Sequence, residues 1–174
     1  MPSLIVVMGV SGSGKSIVGA RLASRLDIPF CEGDDLHPIA NIAKMTAAHP
    51  LDDDDRAPWL DHINHWMHAH QDGGVVSCSS LRRCHRDRLR RGLTSEPTFV
   101  LLDPPAATLN NRLAMRRGHF MPATLLESQL ATLERPTPDE CALRLLGDRN
   151  LDELLDEIID GLTAADEASG RTRD

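Results

Sequence analysis

The sequence predicts an α/β fold, with a parallel sheet of about five strands flanked by helices. Two observations carry that expectation. Short continuous apolar runs, bounded by turn residues, alternate along the chain with apolar stripes at helical spacing. A glycine-rich loop also falls where the first strand should hand over to the first helix. Strand, helix, strand in this rhythm implies parallel strands covered on both faces, because each crossover helix lies back across the sheet.

Leu4–Met8 (LIVVM) is uninterrupted apolar sequence, as a strand buried on both faces requires. Val18, Leu22 and Leu26 follow at helical spacing. A short strand is expected around Pro29–Cys31, ahead of the acidic phrase EGDD. Leu60, Ile63 and Met67 form the next helical stripe. Val75–Cys78 and Thr98–Leu102 read as two further buried strands, and Leu143–Leu146 as a weaker fifth. The last helix has the clearest period, with Leu151, Leu154, Leu155, Ile158, Ile159 and Leu162 at i, i+3, i+4 spacing. Asn150 stands where its cap should be, with Glu153 three residues on. One domain is expected over residues 1–163, and the tail 164–174, AADEASGRTRD, is expected to be disordered.

A chain of 174 residues suits one domain with a real core. A net charge of −7 argues against non-specific binding to nucleic acid or an anionic membrane, since both need a basic face. No apolar run approaches the roughly 20 residues of a membrane span. The chain opens straight into a strand, without the basic lead and cleavage site of a secretory signal. Cys31, Cys78, Cys84 and Cys141 form no C-x-x-C pair and read as reduced thiols. A cytoplasmic protein is expected.

The loop Gly9–Ser16 (GVSGSGKS) fits G-x-x-x-x-G-K-[ST], the cradle of nucleoside triphosphates, between a predicted strand and a predicted helix. Gly9, Val10, Ser11, Gly12, Ser13 and Gly14 are expected to turn backbone N–H groups toward phosphate oxygens. The N-terminus of the next helix adds its partial positive charge. Lys15 is expected at the β- and γ-phosphates, and the Ser16 hydroxyl on Mg²⁺. Ile17 stands where related loops often carry a second hydroxyl, which removes a side-chain contact to phosphate and leaves the backbone donor.

What receives the phosphoryl group is suggested further along. GDDLHP, NIAKM, PLDDDDRAPWL, SCSSLRRCHRDRLR, RRGHF and QLATLE together resemble the gluconate kinase family, in order and at its separations, from about Leu4 to Glu140. The resemblance implies ATP as phosphoryl donor, Mg²⁺, the 6-hydroxyl of D-gluconate as acceptor, and a homodimer. In that match Asp34 is the acid facing the sugar hydroxyl, and it is expected beside the phosphate loop because it follows the second strand. Where the family usually has Asp, this chain has Glu32. His37, Lys44 and Arg56 fall on positions lining the acceptor pocket, and Ser79 points into the same crevice. Fixed cations suit the carboxylate of a sugar acid. Met115–Pro136 resembles a lid over the nucleotide, with Arg116 placed to neutralise charge on the moving group and Arg112 close behind. His119 and Gln129 are family positions taken here as substrate-binding.

Two clusters invite other readings. Arg82, Arg83, Arg86, Arg88, Arg90 and Arg91 are either a solvated helix face or a place where Arg82 or Arg86 holds an anionic ligand. Without interleaved aromatics they do not read as a nucleic-acid patch. His62, His65, His68 and His70 look metal-like, yet the first three spread over about 120° of a helix. They are expected on a polar outer face. A shikimate-type kinase would lack HPxxNIxKM and DRxPWL, and a guanine-binding switch would carry N-K-x-D.

Overall fold

The computed structural model describes residues 4–115, 123–147 and 149–170. Strands β1 (Leu4–Met8), β2 (Phe30–Glu32), β3 (Gly74–Ser77), β4 (Thr98–Leu102) and β5 (Ala142–Leu145) are all parallel, in the order β2-β3-β1-β4-β5. Helices are α1 (Lys15–Leu26), α2 (Ile39–Thr46), α3 (Asp53–Ala69), α4 (Arg83–Leu89), α5 (Ala106–Met115), α6 (Ala123–Thr132) and α7 (Leu151–Gly170).

The alternation of side chains along β1 divides the core. Ile5 and Val7 face Val18 and Leu22 of α1 and Leu155 and Ile158 of α7. Leu4, Val6 and Met8 face Trp59, Leu60, Ile63 and Met67 of α3, with Leu89 of α4. A third cluster lies apart from both, joining Val10 of the phosphate loop to Leu81, Leu109 and Leu126, with Leu113, Leu130 and Leu133 packed on it.

The sheet order corrects one expectation. β3, not β2, lies beside β1, so Asp34 does not sit next to the phosphate loop but one strand away. β2 is three residues long and half-buried, which suits an edge strand. The tail also differs from expectation, because α7 runs on to Gly170. Among the residues whose burial is described, Leu162 is its last buried apolar one. Beyond it Ala164, Ala165 and Glu167 are good helix formers, and the helix continues on propensity past its last packed turn. Its start is as expected, with the Glu153 N–H donating to Asn150 Oδ1 at 2.9 Å. No helix among the described residues is long and apolar enough to cross a membrane.

Candidate active site

The phosphate loop follows β1 directly. Gly9 has φ +141°, and a Cβ there would stand 2.6 Å from the Leu102 carbonyl oxygen, so β4 approaches too closely for any side chain. The Gly9 N–H donates to the Ser79 carbonyl at 3.3 Å, which ties the loop to the end of β3. Gly14 is left-handed at φ 99° and its carbonyl accepts from Val18, starting α1. Lys15 Nζ donates to the Val10 carbonyl at 3.0 Å, so its ammonium lies along the loop. Ser16 is exposed in the first turn of α1.

A cleft of about 370 Å³ opens beside the loop, bounded by Gly12, Gly14, Ile17, Arg112, Gly147 and Arg149. Arg112 donates to the Ser13 carbonyl at 3.2 Å and to the Gly147 carbonyl at 2.7 Å, linking the two walls. Ile17 is 63% exposed, an apolar side chain presented to this opening.

Asp34 is held by a tight corner. The Gly33 N–H donates to Ser77 Oγ at 3.2 Å, and its carbonyl accepts from Trp59 Nε1 at 2.7 Å. A Cβ on Gly33 would fall 2.0 Å from the Ser77 carbonyl oxygen, so only glycine allows this corner. The Asp34 side chain itself is 71% exposed, free to meet a ligand. Glu32 is differently placed, since Ser77 Oγ donates to its Oε1.

His37 stacks on Trp59 with ring centroids 4.2 Å apart, and its Nε2 lies 3.9 Å from Asp34 Oδ1. Burial lowers the His37 pKa, Asp34 opposes that shift, and Arg56 adds to it, so the ring is neutral near pH 7. Asn41 Nδ2 lies 3.3 Å from Nδ1, which assigns the proton to Nε2, on the Asp34 side. Burial pushes the Cys78 thiol up to about 12; among the smaller effects, Asp34 raises it and Lys15 lowers it. Lys15 follows β1 and Asp34 follows β2, the two strands that flank β3.

The expected cations gather around the start of α3. Asp52 and Asp55 form a capping box there, each carboxylate accepting from the other's N–H, at 2.8 and 3.1 Å. Lys44 Nζ bonds both oxygens of Asp55, at 2.6 and 2.8 Å. Asp53 draws in Arg56 at 3.8 Å, His85 Nε2 at 3.0 Å, and Arg82. Its pKa is lowered chiefly by the His85 hydrogen bond, against burial and together with Arg82. Sequence reading missed Asp53, Asp55, Trp59 and His85. The run DDDD marked the region, but nothing in it says which carboxylate serves which cation.

Asp53, Cys84 and His85 are close enough to suggest a metal. The His85 tautomer speaks against one. Its Nδ1 accepts the Arg82 N–H at 3.3 Å, so Nε2 carries the proton it gives Asp53 and has no lone pair to offer. The histidines of α3 and its C-cap do not converge either: His62 lies against the Leu36 carbonyl, His68 against that of Arg91, and His70, the cap, stacks on Trp66.

The arginine cluster is mostly neutralised by carboxylates. Arg82 adds Glu134 to Asp53, Arg83 meets Asp139, and Arg88 meets Asp61. Arg86 departs from both earlier readings: it is neither solvated nor open to a ligand. Its side chain is 1% exposed and forks onto Glu140, itself 0% exposed, at 2.6 and 2.9 Å. Of the lid, Gln129 is described, and its Oε1 accepts the Ser11 N–H at 2.7 Å. Arg116, Arg117 and His119 lie outside the described residues.

This arrangement matches known proteins. A family model described as an AAA domain covers residues 4–136. The gluconokinase of Gluconobacter oxydans (strain 621H) is 47% identical over 168 residues, which span 95% of this chain and 94% of that protein. The crystal structure of a gluconokinase from Sinorhizobium meliloti 1021 superposes with a TM-score of 0.90 at 43% identity, covering 98% of this chain and 97% of that one. A shikimate kinase from Aquifex aeolicus shares the fold, with a TM-score of 0.59 at 18% identity, covering 92% of this chain and 96% of that one. The P-loop nucleotide cradle, the parallel five-strand sheet and relatives matched over nearly their whole length lead to one conclusion: this chain belongs to the gluconokinase family of P-loop kinases.

Proposed function

We propose that this protein transfers the γ-phosphoryl group of ATP to the 6-hydroxyl of D-gluconate, giving ADP and 6-phospho-D-gluconate. The observation that carries this reading is an exposed carboxylate, Asp34, that follows β2 across β3 from the phosphate loop after β1, with Lys44, Arg56 and Arg82 gathered on Asp53 and Asp55 at the start of α3. Lys15 and the loop donors hold the phosphates, while Asp34 orients the acceptor hydroxyl and takes its proton late in a loose transition state. His37, donating through Nε2, and Ser79 supply polar partners for the sugar hydroxyls. The cations answer its carboxylate.

The oxygen donor at Ser16, exposed at the head of α1, fits a hard cation such as Mg²⁺, which would neutralise charge on the β- and γ-phosphates. Arg112 borders the nucleotide cleft. Arg116 is proposed to stabilise the phosphoryl group in transit. Arg116→Ala is then expected to lower turnover more than it weakens ATP binding; a change in the nucleotide dissociation constant alone would reduce Arg116 to a binding residue. A cytoplasmic homodimer belongs to the same proposal, and a monomer mass in sedimentation equilibrium would overturn the dimer.

The experiment that tests the reaction is ADP release measured with D-gluconate, D-glucose, shikimate and water as acceptors. Gluconate is expected to be phosphorylated far faster than neutral glucose, because Lys44 and Arg56 contribute only when the acceptor carries a carboxylate. Equal rates with the two sugars would remove the basis for a sugar-acid kinase.

A further inference from the structure

The phosphate loop is braced from outside by α6. Val10, within the loop, packs in the small cluster that includes Leu109 and Leu126, with Leu113 and Leu130 against it. Gly12 lies so close that a Cβ there would stand 3.1 Å from Leu113 Cγ. Between these apolar contacts is a polar one, from the Ser11 N–H to Gln129 Oε1 at 2.7 Å, across 118 residues of sequence.

The far end of α6 is anchored in turn. The Glu134 N–H donates to the Leu81 carbonyl at 2.7 Å, and Arg86 donates to the Glu134 carbonyl at 2.9 Å and to the Ser80 carbonyl at 3.1 Å. Arg135 forks onto Asp103 at 2.7 and 3.2 Å. Gln129 therefore reaches the loop from a helix whose exit is fixed to both β3 and β4.

We propose that Gln129 is a positioning residue for the phosphate loop, and not a contact to the acceptor. The Ser11 N–H is already engaged by the amide oxygen, and the loop donors that follow it can converge on the γ-phosphate only if this shoulder of the loop stays in place. Gln129 acts through that N–H. The inference rests on the kinase reading above, but its most direct test does not need the acceptor.

That test compares Gln129→Met with Gln129→Glu. Methionine keeps the length and helix preference and removes the acceptor oxygen; glutamate keeps an acceptor at the same reach. Backbone hydrogen exchange followed by NMR is expected to show the Ser11 amide exchanging about tenfold faster in Gln129→Met, the scale of one lost hydrogen bond. Protection of β1 should be unchanged, and Gln129→Glu should restore the slow rate. In steady state, Gln129→Met is expected to raise KM for ATP and lower kcat, with KM for D-gluconate unmoved. Unchanged exchange at Ser11 would overturn the proposal, as would a defect confined to KM for gluconate. Failure of the wild-type protein to phosphorylate any acceptor, with Ser11 exchange in Gln129→Met altered as expected, would count against the kinase reading and leave the brace intact.

Discussion

Asp34→Asn is expected to lower gluconate turnover by roughly 10²–10⁴-fold, the usual scale for loss of a general base. The substitution preserves size and removes the charge that orients the hydroxyl and accepts its proton. It leaves the corner intact, because that corner is built from the Gly33 backbone, Ser77 and Trp59 and not from the Asp34 side chain. ATP affinity should stay near wild type, since Gly9–Ser16 and Lys15 are untouched. Calorimetric nucleotide binding and turnover, measured on one preparation, separate the two effects. Near wild-type turnover would exclude Asp34 and turn attention to Glu32, whose carboxylate is held by Ser77.

Arg86→Met is expected to lower stability by about 3–5 kcal/mol, because it removes the forked partner of a buried carboxylate and leaves Glu140 the longer contacts of Arg90 Nη2 at 3.4 Å and the Thr137 N–H at 3.1 Å. For a domain of this size that corresponds to a fall in melting temperature of about 10 °C. The Glu140 carboxyl is held down at about 2, first by its hydrogen bond from Arg86 and against the effect of burial. That contribution is present above the ordinary value of 4.5 and is lost as the pH falls through about 2. In the variant the same burial raises the carboxyl, so its deficit should shrink as the pH is lowered toward 5. Replacing both partners by apolar residues should recover most of the loss. Thermal unfolding of the single and double variants at two pH values checks this, and a single-variant loss under about 1 kcal/mol would contradict it.

The strands were legible because each is a local pattern. LIVVM and TFVLL need no long-range information to read as buried strands, and the structure places both on the residues expected. The phosphate loop was equally legible, since Gly9, Gly14 and Lys15 answer to one ligand geometry over eight residues. Strand order was not. Whether β2 or β3 neighbours β1 depends on which crossover helix covers which face, and no local pattern records that. Partner choice among charges was hidden for a similar reason. Arg82 and Arg86 are four residues apart in one basic phrase, yet one is half-exposed on Asp53 while the other is sealed against Glu140. Gln129 stood in the sequence as a polar residue of a presumed lid, and only the fold brings it to Ser11.

In the proposed reaction the loop and Asp34 face one another across a phosphoryl group passing from ATP to a sugar acid. Phosphorus NMR of the enzyme with ATP, Mg²⁺ and D-gluconate tests it most directly. The γ-phosphate signal is expected to be replaced by a single phosphomonoester resonance, split by the two protons on C6, as ADP accumulates in equal amount. Accumulation of inorganic phosphate alone, or of an ester at any other carbon, would contradict it.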